Sequence, residues 1–349
     1  QRYIDALLRD LDRESDRAAG RVVESVFLGG GTPSFFSPDE IGSVLEAVMS
    51  RFSISPDVEV TMEANPGTVE CGSPAGYRDA GVTRLSVGAQ SFDDALLKVL
   101  GRIHSSEDIL RAVRAARDGG FENINIDLMH GLPGQSVDAA MADLTAAADL
   151  KPAHISWYQL TLEPNTVFYA RPPANLPDEE LATEIQDRGQ ALLEGYGYEQ
   201  YEISAFAKDG WRCRHNLNYW LFGDYLAVGA GAHGKLTMGN AVYRYQKPAN
   251  PLQYMKEQEA GDTDASLTAL QRTDLIFEFM LNALRLSDGF TEDIFCQRTG
   301  LSTSDLMDAS TGARARGLLE RNEGGWWKPT KLGGRFLNDL QAEFLPDEP

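Results

Sequence analysis

The chain has 349 residues, enough for one large domain or a large and a small one. Its residues are 42% hydrophobic and 24% charged, ordinary globular values, but 32 basic against 52 acidic side chains give a formal net charge of −20. That acidity argues against a nucleic-acid or anionic-membrane binder, both of which need basic surface, and no run of eighteen apolar residues exists to span a bilayer.

The first twenty residues are charged and helical in pattern, with Tyr3, Leu7, Leu8 and Leu11 on one face, which is not the pattern of a signal peptide. Short β-branched runs follow at Val23–Leu28, Val58–Glu63, Arg84–Gly88, Ile124–Leu128 and Ile155–Leu160, each bounded by Gly, Pro, Asn or Asp. Helices between them carry their own start signals. Ser37-Pro38-Asp39-Glu40 is a capping box, Ser105 caps a second helix with Asp108 three residues on, and Ser136 opens a third. Repeated strand–helix units predict parallel strands with right-handed crossovers, in either an open doubly wound sheet or a full or partial barrel. In such a series a strand and loop precede the opening helix, so the chain reads as lacking its first strand.

Past Leu162 the regularity fades into a Pro-rich loop, a helix over Asp178–Gly195 and a Gly-rich segment at 224–237. Helices are then expected at Leu267–Leu284, Thr291–Thr299 and Ser304–Arg316, a hairpin at 317–330, and a last helix over Gly334–Phe344. Helix–turn–helix plus hairpin is a winged-helix pattern. Arg314 and Arg316 are balanced by Asp305 and Asp308, so this module reads as a packing or partner domain and not a DNA reader.

Polar residues recur where strands end. Gly29-Gly30-Gly31-Thr32-Pro33 follows the first run and frees the backbone to approach a ligand. Glu63, Gln90-Ser91, Asp127, and Thr161 with Glu163 fall at the ends of the next four. Taken singly, each reads as a cap or a loop hydrogen bond; five in succession point to one site at the mouth of a barrel, with Arg102 as a partner for a buried acid. His130 stands near that mouth. His215 lies in Arg212-Cys213-Arg214-His215-Asn216-Leu217-Asn218-Tyr219-Trp220, where an imidazole beside aromatics suits either a haem iron or a merely anchored loop. His233 sits in the Gly-rich segment. The three cysteines, Cys71, Cys213 and Cys296, are too far apart for a disulfide framework or a zinc site, which points to a reducing cytoplasm.

In order, FLGGGTPS (27–34), EANPGT (63–68), GAQSF (88–92), GRIH (101–104), NIDLMHGLPGQ (125–135), LTLEPNT (160–166), YEQYEISAFA (198–207) and HNLNYW (215–220) resemble the oxygen-independent coproporphyrinogen III oxidase group of radical S-adenosylmethionine (SAM) proteins. HNLNYW resembles the HemW-like haem-chaperone branch of that group more than the decarboxylating oxidase. The resemblance implies a partial (βα)6 barrel over 1–240 and a small, mostly helical, winged-helix-like domain over 241–349. It implies SAM binding by Gly30, Gly31, Thr32, Glu63, Gln90, Arg102, Asp127, Thr161 and His233, and haem as cargo with His215 as candidate ligand and a haem-acceptor protein as partner. His130 replaces a tyrosine common at that place in the group. The group's CxxxCxxC motif, which holds a [4Fe–4S] cluster, does not occur in this sequence, so radical chemistry is expected only of an intact protein that carries it. Decarboxylation of a coproporphyrinogen is the alternative activity.

Overall fold

The computed structural model describes residues 1–18, 20–67, 73–164, 166–261 and 266–346. The chain packs as two compact units, one of residues 24–45 and 56–213, the other of 1–23, 46–55 and 214–349.

The first unit is built on a curled, half-barrel sheet of seven strands, β1 (Val22–Leu28), β2 (Ser53–Ala64), β3 (Arg84–Gln90), β4 (Asn123–His130), β5 (His154–Gln159), β6 (Glu199–Glu202) and β7 (Ala205–Ala207), in the order β1-β2-β3-β4-β5-β7-β6. Strands β2 to β5 run parallel to one another, as the βα pattern predicts. The antiparallel pair β6 and β7 beside β5 was not foreseen, because strands of four and three residues carry no readable periodicity.

Strand parity divides the sheet into two chemistries. Val60 and Met62, Leu85 and Val87, Ile124, Ile126 and Leu128, and Ile155 and Trp157 form one core with the covering helices. The alternate residues lie in register across the strands as polar rows: Thr61, Arg84 and Asn123; then Glu63, Ser86, Asn125 and His154; then Gly88, Asp127 and Ser156. The sheet thus has one face for helices and one for polar chemistry.

The helices start where their caps require. Ser37 exchanges hydrogen bonds with Glu40, Ser105 forms a full capping box with Asp108, Ser136 accepts from Ala139 N–H, and Asp178 caps Glu179–Gly195. That last helix lies close on the sheet at Gly189, where a Cβ would overlap the Trp157 ring and come within 2.9 Å of Leu144 Cδ1.

In the second unit, β8 (His233–Met238), β9 (Ala241–Gln246) and β10 (Thr268–Ala269) form an antiparallel sheet in the order β10-β9-β8. The opening helix, Arg2–Ala18, is fastened by buried polar groups. Lys247 Nζ donates to Asp10 at 2.7 Å and Glu14 at 2.8 Å, Tyr254 and the Gly229 N–H also donate to Asp10, and Tyr245 donates to Glu14. Helix Arg272–Ala283, β11 (Phe290–Thr291), helices Glu292–Thr299 and Thr303–Ala309, β12 (Leu319–Arg321) and β13 (Trp326–Pro329) follow in winged-helix order, with sheet order β11-β13-β12. Three expected helices differ in detail. Thr268–Ala269 is strand, the 304–316 segment breaks at Ser310 into two helices, and the last helix is split at Phe336 into Lys331–Arg335 and Leu337–Ala342. Of the adjacent tryptophans, Trp327 is fully buried and donates to Glu292, while Trp326 is exposed.

Candidate functional site

The loop after β1 brings backbone to a carboxylate. Gly30 has φ +76°, its N–H donates to Glu63, and a Cβ on Gly29 would lie 2.5 Å from the Phe27 ring and 3.0 Å from the Glu63 carboxylate. Nothing lies within 4 Å of where a Cβ of Gly31 would stand, so that backbone is open to a ligand. Thr32 precedes a short 3₁₀ turn, Pro33–Phe35, which Tyr77 pins by donating to the carbonyls of Ser34 at 3.2 Å and Phe36 at 2.8 Å. Burial pushes the Glu63 carboxyl above its usual range, the charge of Asp127 pushes it the same way, and the Gly30 N–H opposes them.

Asp127 stands on the polar face of β4, held by Ser86 Oγ at 2.8 Å, Asn125 Nδ2 at 2.8 Å and Tyr158 Oη at 3.5 Å. Behind it runs a chain that sequence reading missed. Asn125 Nδ2 donates to Ser86 and Asp127, so its Oδ1 must accept from His154 Nδ1–H at 2.6 Å. His154 Nε2 then accepts from Tyr201 Oη–H at 2.9 Å, and burial together with the Arg84 charge holds this imidazole well below its usual pKa, hence neutral. The signal was the alternation of polar residues along each strand, visible only once the register is known.

Gln90 adopts φ +64° where the register of β3 against β4 shifts, a strained setting for a side chain with a Cβ. It is buried and its Oε1 has no hydrogen-bond partner, while its Nε2 lies over Gly88. The turn is held by Asp143, another residue the sequence did not single out, which accepts from Ser91 Oγ at 2.8 Å and Phe92 N–H at 2.6 Å. Burial pushes the Asp143 carboxyl up to about 6. Arg102 is exposed in surface area, yet partial desolvation lowers its pKa against the opposing charge of Asp127. The charge of Asp127 therefore acts on both Glu63 and Arg102, with Gly30 bound to Glu63.

Thr161, His130 and His233 each have their own surroundings. Thr161 is exposed and turns its hydroxyl to Glu163 at 2.9 Å. His130 shares the parity of Leu128 and so faces the helix side, stacked on Trp157 at a centroid distance of 4.2 Å, where burial takes its pKa down to about 4. His233 opens β8 in the second unit, opposite Gln246, and lines a cavity of about 650 Å³ with Tyr225, Arg244 and Glu278. His215 lies on the helix Arg214–Trp220 of the same unit, edge-on to Tyr219. The Cys213 thiol is buried and donates to Glu59.

An orphaned amide oxygen on Gln90, an acid held above its ordinary pKa, and an open Gly31 backbone suit a ligand that brings donors and a positive charge, which fits the ammonium and hydroxyls of SAM. The cluster is another matter. Cys71 lies outside the described residues, Cys213 and Cys296 are single thiols in different units, and among the described residues no three His, Cys, Asp or Glu side chains gather around a metal position. These residues do not fit a [4Fe–4S] cluster.

The sequence profile of the Radical SAM superfamily matches residues 2–145, and that of the HemN C-terminal domain matches residues 270–336. Over 346 residues the chain is 44% identical to the heme chaperone HemW of Escherichia coli (strain K12), covering 99% of this chain and 90% of that protein. It is 43% identical over 353 residues to the heme chaperone HemW of Haemophilus influenzae, covering 100% and 91%. Among solved structures, the radical SAM enzyme coproporphyrinogen III oxidase (HemN) from Escherichia coli matches with a TM-score of 0.77 at 23% identity, over 98% of this chain and 82% of that one. At that identity the likeness is one of fold.

Proposed function

The chain belongs to the HemW haem-chaperone family of the radical SAM superfamily, and from that premise we propose that it binds haem as cargo and hands it to an acceptor protein. The observation that carries the proposal is HNLNYW in a chain otherwise typical of the family, with His215 and Tyr219 one turn apart on a single short helix. An imidazole against an aromatic ring is suited to iron of a planar macrocycle.

SAM is assigned to the strand ends within residues 1–240. Gly30, Gly31 and Thr32 would meet its amino group, Glu63 and Asp127 would balance its positive charge, and Gln90 would accept from a ligand donor, with Arg102 and Thr161 at the rim. When bound, SAM supplies a reactive sulfonium. This chain's own work there is to bind and orient it, and Asn125, His154 and Asp143 hold the binding groups in place. Residues 241–349 are given a role toward partners, and the cytoplasm is the natural compartment for a chain with three widely spaced cysteines. Decarboxylation of a coproporphyrinogen fits less well, since the relatives at 43–44% identity are chaperones and the oxidase shares 23%.

Haemin titration with the Soret band as readout tests the reading. One saturable haem per chain, passed on to an apo-haemoprotein and weakened in His215→Ala, is the expected result. Absence of a saturable band in the unaltered chain would overturn it.

A further inference from the structure

The cavity that receives His233 has features no part of the strand-end site shares. Its volume of about 650 Å³ falls within the range of small-molecule sites. One wall is Tyr225, whose ring packs on Tyr219 at a centroid distance of 4.3 Å, and Tyr219 in turn meets His215 at 4.9 Å. The cavity is thus joined by ring contacts to the helix that bears HNLNYW. Arg244 forms a second wall, with Nε and Nη2 donating to Glu278 and Nη1 to Tyr225 Oη. A guanidinium has five N–H groups, so two remain for a ligand's acceptor. Thr268 and Gln246 add polar edges. His233 is exposed at the start of β8, and its ring makes no hydrogen bond or ion pair among the described residues.

A flat aromatic wall, an uncommitted imidazole and a guanidinium with spare donors together describe a seat for a planar, carboxylate-bearing ring with a metal at its centre. Resting on the haem-carrier reading above, we propose that this cavity seats the cargo and that His233 is an iron ligand there. The assignment gives Tyr225 and Arg244 a use that packing alone does not require. Imidazole nitrogen is among the protein ligands that hold haem iron, and a ligand at a strand's first residue is fixed by the ladder behind it.

The test uses the full chain with two probes, ferric haemin and metal-free protoporphyrin IX, the first read by its Soret band and the second by fluorescence. His233→Ala should shift the Soret maximum and weaken haemin binding by about tenfold or more while leaving protoporphyrin binding unchanged, and added imidazole should restore the spectrum. Thr268→Trp, which fills the cavity, should weaken both probes. Circular dichroism confirms that each variant is folded, and because His233 is exposed its variant serves alone if Thr268→Trp is not. Saturable haemin binding that both folded variants leave unchanged, or that His215→Ala alone abolishes, would overturn the cavity while leaving the carrier reading intact. No saturable binding by the unaltered chain would instead remove the carrier reading on which the inference rests.

Discussion

His130 shows how a single step of strand parity decides what a histidine does. Asp127 and Met129 lie on one parity of β4 and Leu128 and His130 on the other, so the imidazole is pressed against Trp157 and burial keeps it neutral down to about pH 4. In the unfolded chain it protonates near the ordinary value of 6.5. Its neutral burial therefore contributes stability that is fully present above pH 6.5 and is lost as pH falls toward 4, by about 3 kcal/mol at most. Asp143 works in the opposite sense, because its folded pKa of about 6 makes the folded state hold a proton the unfolded state has released, so its contribution declines as pH rises from 3.8 through 6. Urea midpoints of the unaltered chain and His130→Phe, compared from pH 7.5 to 4.5, should converge or cross as pH falls; a constant gap would refute the assignment. The strand-end acids and the glycine turn were legible in the sequence because they follow apolar runs directly. Asn125, His154 and Asp143 were not, because what they support lies on other strands and loops, and spacing along one chain does not disclose register.

Among the elements, the helix Glu179–Gly195 is one whose placement depends on a missing side chain. Gly189 lets it settle on Trp157 and Leu144, and Trp157 is the residue that carries His130. Gly189→Ala would gain about 1 kcal/mol of helix propensity at an ordinary site. Here the methyl group overlaps the indole ring, and overpacking should dominate, with a net loss of about 1–3 kcal/mol in chemical denaturation and a lower melting temperature. A stabilised variant would mean that the helix can lift without cost. Helix starts were read well from the sequence because a cap is a local event, one side chain meeting an N–H two or three residues on. Helix breaks at Ser310 and Phe336 were read poorly, since neither residue is a glycine or proline, the residues that mark a stop in a sequence.

At the scale of the whole molecule, the helix Arg2–Ala18 commits two acids to the interior. Asp10 and Glu14 have no water to face, and Lys247, 3% exposed, compensates both. Lys247→Met keeps much of the volume and removes the charge, leaving, among the described residues, Asp10 without its ion pair and Glu14 with Arg17 alone. A loss of about 3–5 kcal/mol is expected, read by urea denaturation at pH 7, and Lys247→Arg, which keeps the charge, should lose less. Equal losses in the two variants would show that packing and not charge is at stake. The sequence marked this helix as amphipathic but gave no sign that its acids were interior, because their partner lies more than two hundred residues downstream.

That separation sets a timetable for biosynthesis. On the ribosome the helix Arg2–Ala18 emerges long before the lysine and the tyrosine hydroxyls that complete it, which arrive only when residues 245–254 have been made. Residues 24–45 and 56–213 can meanwhile assemble around their own core, so this early helix joins its finished unit late. During that interval two carboxylates stay hydrated on a nascent helix, a soluble waiting state that ends when one late lysine closes over them.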